Sequence, residues 1–185
     1  MPRTRITLQQ VQSYVRKKIP ALLRKDLKAY RLLRESDVEC ATYMHLRRLL
    51  DVDQSWTVTA RRHVPQTGRF VDIVIFHETT PKIAIELKWG LREIDPKDRD
   101  SLGEAINVLG VNKAYWISAA VLGKPAVPLA KQAHEKYSLH VICVRAELLD
   151  EQVKHWESFR DSLRSKLEPG TGRKRKTLSS NSDEV

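Results

Sequence analysis

An acid in the middle of an otherwise apolar strand constrains this chain more than any other feature. In Phe70-Val71-Asp72-Ile73-Val74-Ile75-Phe76, strand alternation gives Val71, Ile73 and Ile75 one face and Asp72, Val74 and Phe76 the other. A second run, Lys82 to Trp89, places Ile83, Ile85 and Leu87 together and turns Ala84, Glu86 and Lys88 the opposite way. The short polar connection His77-Glu78-Thr79-Thr80-Pro81 reads as a hairpin loop. Folding the hairpin about Thr79 sets Asp72 opposite Glu86. Like charges directly opposed are destabilising unless something offsets them, and a divalent cation does so. Carboxylate oxygens suit a hard ion such as Mg²⁺, with Mn²⁺ able to substitute, whose shell is filled by water and substrate phosphate. Lys88 then lies beside a bound phosphate or water. A one-residue slip would send the acids to opposite faces, and the plainer reading of Glu-x-Lys is an ordinary salt bridge.

The surrounding elements follow from periodicity. Thr7 to about Arg34 has helical spacing, interrupted at Pro20, and predicts two short helices. Ser36 to Leu50 predicts a third, with Ser36 as N-cap and Glu39 completing a capping box. Strands are expected over Trp56–Val64, Phe70–Phe76, Lys82–Trp89, Ala114–Ala120 and Leu139–Arg145, and helices up to about Leu109, over Pro125–Tyr137 and over Ala146–Leu167. Strands joined through helices predict an α/β fold, a mixed central sheet flanked by helices on both faces. The domain expectation is a basic helical extension over 1–34, one domain over 35–167, and a disordered basic tail over 168–185 containing Arg173-Lys174-Arg175-Lys176.

The formal net charge of +10 over 185 residues points to a polyanionic partner. Arg16, Lys17, Lys18, Arg24, Lys25, Lys28, Arg31 and Arg34 crowd the N-terminal helices, with Asp26 as the one acid among them, and are the candidate nucleic-acid-binding residues. No apolar run approaches the ~18 residues of a membrane span, and no apolar h-region follows Met1-Pro2-Arg3-Thr4-Arg5, so the expectation is a cytoplasmic protein, nucleoid-associated if prokaryotic, without a membrane partner. Cys40 and Cys143 read as core thiols. The six histidines have no metal-ligand spacing, and Asp95, Asp98, Asp100 and Glu104 read as solvated acids at a helix start. Trp56, Trp89, Trp116 and Trp156 read as packing residues, with a substrate groove as the alternative place for Trp89.

Asp72, the short hairpin and Ile83-Ala84-Ile85-Glu86-Leu87-Lys88 resemble the motif of the PD-(D/E)XK nucleases, with Val71 in place of the proline. The element order from about Glu35 to Arg145 is similar to that family's α-β-β-β-α-β core, a restriction-endonuclease-like fold. The resemblance implies that Asp72 and Glu86 are metal ligands, with the Leu87 carbonyl as a third, and that Lys88 orients or activates the attacking water. It also implies an acid on the helix before the first strand. Advancing 100° per residue, Glu39 lies close to Tyr43, Leu46 and Leu50, and is the catalytic candidate ahead of Glu35. The functional expectation is a Mg²⁺-dependent endonuclease acting on DNA, of restriction or repair and recombination type, working as a possible homodimer. The alternative is an inactive nucleic-acid-binding module, or an interaction subunit of a larger nuclease complex, with the same fold.

Overall fold

The hairpin carrying the two acids acquires its register from a turn and a bulge acting together. In the computed structural model, which describes residues 5–65, 67–90, 94–121, 139–146, 148 and 150–167, strands β1 (Trp56–Val64), β2 (Arg69–His77) and β3 (Thr80–Trp89) form an antiparallel meander. The β2–β3 turn is Glu78-Thr79, with Glu78 at φ +55°, so its axis lies half a residue before the expected one. At the turn, His77 faces Thr80 and Phe76 faces Pro81. Continued unchanged, that register would set Asp72 opposite Ile85. The pairing shifts between Ile75 and Phe76, Lys82 being the extra residue, and from there Ile75 faces Ile83 and Ile73 faces Ile85. Pro81 beside a bulge is where a residue with no N–H to donate is tolerated. The bulge thereby restores the register that turns Asp72 and Glu86 to the same face, the pairing itself ending one rung earlier at Ile73 and Ile85.

Strands β4 (Lys113–Ala120) and β5 (Leu139–Arg145) continue the sheet in parallel, giving the order β1-β2-β3-β4-β5. The fold is therefore α/β, with a five-stranded mixed sheet flanked by helices. From Ala114 to Ala120 both faces of β4 are buried, as a parallel strand between helical layers requires. Helix α4 (Pro96–Leu109) runs between β3 and β4 and packs Leu102 and Ala105 against Val74, Ala84 and Trp116. Gly110 ends it at φ +66°, the left-handed cap that glycine adopts without steric cost. On the other face lie Ile73, Ile75, Ile83, Ile85 and Ile117, all fully buried.

The N-terminal segment is one bent helix where two were expected. Helix α1 (Leu8–Ser13) runs through a π-helical turn (Tyr14–Lys18) into α2 (Ile19–Lys28). Pro20 has no N–H for an i→i−4 bond, and the wider turn, in which the Ile19 N–H reaches the Tyr14 carbonyl, absorbs the mismatch without breaking the rod. Val11, Val15, Ile19, Leu23 and Leu27 are fully buried, and α2 contacts β4, β5 and helix α3 (Glu35–Leu50). Asp26 is buried too; it accepts from His45 on α3 at 2.7 Å and from Arg31 at 3.2 Å. This basic segment thus contributes to the core of the compact unit spanning Met1–Leu149. Cys40 is exposed and Cys143 half-buried, contrary to the expectation of two core thiols, because position 40 falls on the side of α3 away from Val38 and Thr42.

Helix α5 (Asp150–Leu167) belongs to a second unit, in which the Arg160 guanidinium stands 5.1 Å over the Trp156 ring. The expected helix over Pro125–Tyr137 and the basic tail lie outside the described residues. Among the described residues no helix is long and apolar enough to cross a membrane.

Leu23 tests the structural role of the N-terminal helices. Leu23→Ala should cost ~2–5 kcal/mol, as large-to-small core changes do, read by urea denaturation of the whole chain. A loss below ~0.5 kcal/mol, typical of surface positions, would show that these helices are merely appended.

Candidate active site

Pairing between β2 and β3 ends at Ile73 and Ile85, while β3 stays paired with β4 as far as Trp89. The two strands part where the acids lie. Asp72 closes the gap: its carboxylate accepts the Leu87 N–H at 2.7 Å. On an extended strand the N–H and carbonyl of one residue leave the backbone on the same side, so the Leu87 carbonyl also faces the Asp72 side. Glu86 and Lys88 share the face that α4 covers, and Lys88 Nζ lies 3.2 Å from Glu86 Oε1 and 3.2 Å from Asp98 Oδ1.

Two helix starts complete the cluster. Asp98 occupies the first turn of α4, which Asp95 caps through the Lys97 N–H at 2.8 Å. Glu35, the first residue of α3, accepts from Lys88 Nζ at 3.4 Å and from the Trp89 N–H at 3.2 Å. Acids in these positions are favoured by the positive ends of the helix dipoles. The expected N-cap at Ser36 is overturned. Arg34 is the cap residue, and Asp37 Oδ2 accepts the N–H groups of Leu33 at 2.9 Å and Arg34 at 3.2 Å. Asp37 thus takes the capping role assigned to Glu39.

Glu39 is also off the centre of the core stripe. The buried line of α3 is Val38, Thr42, Leu46 and Leu50. At 100° per residue Glu35 lies on its mean direction and Glu39 about 40° to one side. Half-exposed Tyr43 had drawn the expected stripe toward Glu39. Glu35 therefore makes the direct contacts, while Glu39 acts on Asp72 through its charge. Asp98, expected among solvated acids, is 19% exposed and touches Lys88. Topology offered a signal for it: a helix linking adjacent parallel strands starts at the C-terminal end of the first, where Lys88 sits. The proposed nucleic-acid residues Arg16, Lys17, Lys18, Arg24, Lys25, Lys28, Arg31 and Arg34 are all exposed. Among the described residues Arg24 donates to the Arg145 carbonyl at 3.0 Å, Arg31 pairs with Asp26 and Arg34 with Asp37.

Burial dominates the electrostatics. It raises Asp72 to about 6, with the charges of Glu39 and Glu35 adding to the rise and the Leu87 N–H and Lys88 opposing it. Burial and then the neighbouring Asp72 push Glu86 to about 8. Burial alone would lower Lys88, but Glu86, Asp98 and Glu35 outweigh it and hold the amine above the usual lysine range. Lys88 is an ammonium. Among the described residues Glu86 Oε2 is buried without a hydrogen-bond partner, as are Trp116 Nε1 and Ser118 Oγ, whose residues stand in register with Glu86 and Lys88 on β4. Among the described residues, no group of three His, Cys, Asp or Glu side chains is arranged to hold a metal ion unaided. Asp72, Glu86 and the Leu87 carbonyl form a smaller set of hard oxygens, and Mg²⁺ takes only one or two carboxylates from a protein.

No family model matches the chain, and no curated protein does. Solved structures similar to it include protein VC1899 from Vibrio cholerae, at 13% identity and a TM-score of 0.40 over 86% of this chain and 45% of that one. Another is a Thermococcus gammatolerans assembly of McrB AAA+ hexamers with bound McrC, at 13% identity and a TM-score of 0.36 over 67% of this chain and 32% of the other. The chain spans less than half the length of either.

The shifted acids give the cation-free protein a defined pH response. Glu86 titrates near 4.5 unfolded and about 8 folded, so its contribution is fully present below pH 4.5 and is lost as pH rises through 8. Asp72 adds the same sign between 3.8 and about 6. In EDTA the melting temperature should fall across this range, and Glu86→Gln should flatten the upper part of the fall and melt higher at pH 8. Identical pH profiles for the two proteins would contradict the assignment.

Proposed function

We propose that this chain is a metal-dependent endonuclease of the PD-(D/E)XK type, with a restriction-endonuclease-like core, hydrolysing phosphodiester bonds in DNA in restriction or in repair and recombination. The observation that carries the reading is the convergence of Asp72, Glu86 and Lys88 where β2 and β3 part, with Glu35 and Asp98 brought in by two helix starts. In a chain of net charge +10, this is a place where carboxylates outnumber cations. The orphaned Glu86 Oε2 and the oxygens of Asp72 and Leu87 suit Mg²⁺, with Mn²⁺ as a substitute. A bound Mg²⁺ supplies Lewis-acid polarisation of the scissile phosphate and a water of lowered pKa.

The protein's own groups do the rest. Asp72 and Glu86 hold the oxygen donors in place, Asp72 being fixed by the Leu87 N–H. Lys88, already protonated, cannot accept a proton; it stabilises the charge that builds on the phosphate oxygens as the P–O bond forms. Glu35, next to Lys88 and partly exposed, takes the proton from the attacking water, a step for which the resemblance had offered Lys88. The N-termini of α3 and α4 favour the approach of an anionic phosphate.

A second reading has one observation in its favour. Lys88 already has carboxylate partners in Glu35, Glu86 and Asp98, so the cluster also serves a nucleic-acid-binding module that does not cut, or a subunit of a larger nuclease complex.

Cleavage of supercoiled plasmid with Mg²⁺ or Mn²⁺ separates the two. Asp72→Ala, Glu86→Ala and Lys88→Ala should each lower the rate by ~10²-fold or more while circular dichroism stays unchanged. A folded wild type that leaves duplex, single-stranded and branched DNA intact with either ion would refute the nuclease reading.

A further inference from the structure

We infer that the outer β1–β2 hairpin is a DNA-gripping surface, with Arg61 holding the phosphate chain beside Asp72. The DNA partner rests on the nuclease reading; the surface itself rests on observations outside the acid cluster.

Strand β1 is an edge of the sheet. Ala60, Arg61, Arg62 and His63 are all exposed. In the middle of this run Arg61 sits at φ +48°, a left-handed conformation that is strained for a residue with a Cβ. Its place is specific. Ala60 faces Ile73 and Arg62 faces Val71, and the rung between them, Arg61 opposite Asp72, is skipped. Strain kept at a single backbone position is a pointer to function, and here it falls on a cation with no ion pair among the described residues, next to an acid of the candidate site.

The cross-strand neighbours fit the same partner. Phe70 is 54% exposed, and its ring meets that of His63 at 5.2 Å and 64°. An exposed apolar ring on the strand pair that carries Arg61 offers a face for a sugar or base where the arginine offers a cation for phosphate, while the Arg62 guanidinium stands 5.8 Å over the Phe76 ring. Arg69 at the foot of the hairpin pairs with Glu104 on α4 at 3.6 Å, which braces the hairpin against the helix that supplies Asp98. Charges on an edge strand also block strand addition, but that purpose needs neither a left-handed arginine nor an exposed phenylalanine. A polyanion approaching a cluster rich in carboxylates is repelled unless cations flank it, and Arg61 and Arg62 provide that flank.

The test uses the full chain in EDTA, where binding is read apart from cleavage, with anisotropy of a short fluorescein-labelled DNA duplex over a salt series. Arg61→Gly removes the guanidinium and relieves the backbone. It should melt at or above the wild-type temperature, bind roughly tenfold more weakly, and lower the slope of log K against log salt by about one. Arg61→Asn, which also tolerates left-handed backbone, should repeat the loss, Arg61→Lys should keep the slope, and Phe70→Ala should weaken binding without altering it. Unchanged affinity and slope in both Arg61→Gly and Arg61→Asn would overturn the inference, as would a wild type with no salt-sensitive binding. A wild type that binds through Arg61 yet never cuts with Mg²⁺ would end the nuclease reading and leave this surface standing.

Discussion

An ammonium taken out of water must be surrounded by opposite charge or lose its proton, and Lys88 meets that condition with carboxylates from three elements. Glu86 comes from its own strand, Asp98 from the first turn of α4 and Glu35 from the first turn of α3. Each contact fixes where an element begins. Helix α4 must start above the end of β3, and α3 must present its N-terminus rather than its side. The same geometry loads the site with more negative charge than Lys88 can neutralise. Burial first, and this surplus of negative charge second, push Asp72 and Glu86 toward their protonated forms, a condition a divalent cation reverses by displacing protons.

The arrangement depends on one extra residue. A two-residue turn at Glu78-Thr79 by itself would direct Asp72 and Glu86 to opposite faces, and the bulge at Lys82 cancels that shift before the pairing reaches Ile75. Past Ile73 the strands separate, freeing the Leu87 backbone to face Asp72. The edge strand shows the complementary distortion at Arg61. Backbone irregularity on both sides of Asp72 lets its half-buried carboxylate turn to the Leu87 N–H.

Much of this was legible in the sequence because it depends on period-two alternation. The alternation in 70–76 and 82–89 placed Asp72, Glu86 and Lys88 on one face, and the apolar runs located the strands to within two residues at each end. The turn axis was misread, yet the register that forms from Ile75–Ile83 to Ile73–Ile85 is the deduced one, since an apolar face on each strand penalises any other; the pairing stops one rung short of Asp72 and Glu86. What alternation cannot report was missed. Asp98 reaches Lys88 through crossover geometry; Glu35 was already named as the second helix acid, and ranking it against Glu39 needed the true core stripe of α3, which Tyr43 disguised. Pro20 was taken for a break because a π-helical turn has no sequence signature. Asp26 was counted as a surface acid because its partner, His45, lies on another helix.

The central claim is that Asp72 and Glu86 share one divalent cation. Anomalous diffraction from a crystal soaked in Mn²⁺ measures this directly. The account requires a peak within coordination distance of both carboxylates that vanishes in Asp72→Asn. A saturated crystal with no peak there, or with manganese bound elsewhere while these carboxylates keep only their protein partners, would contradict it.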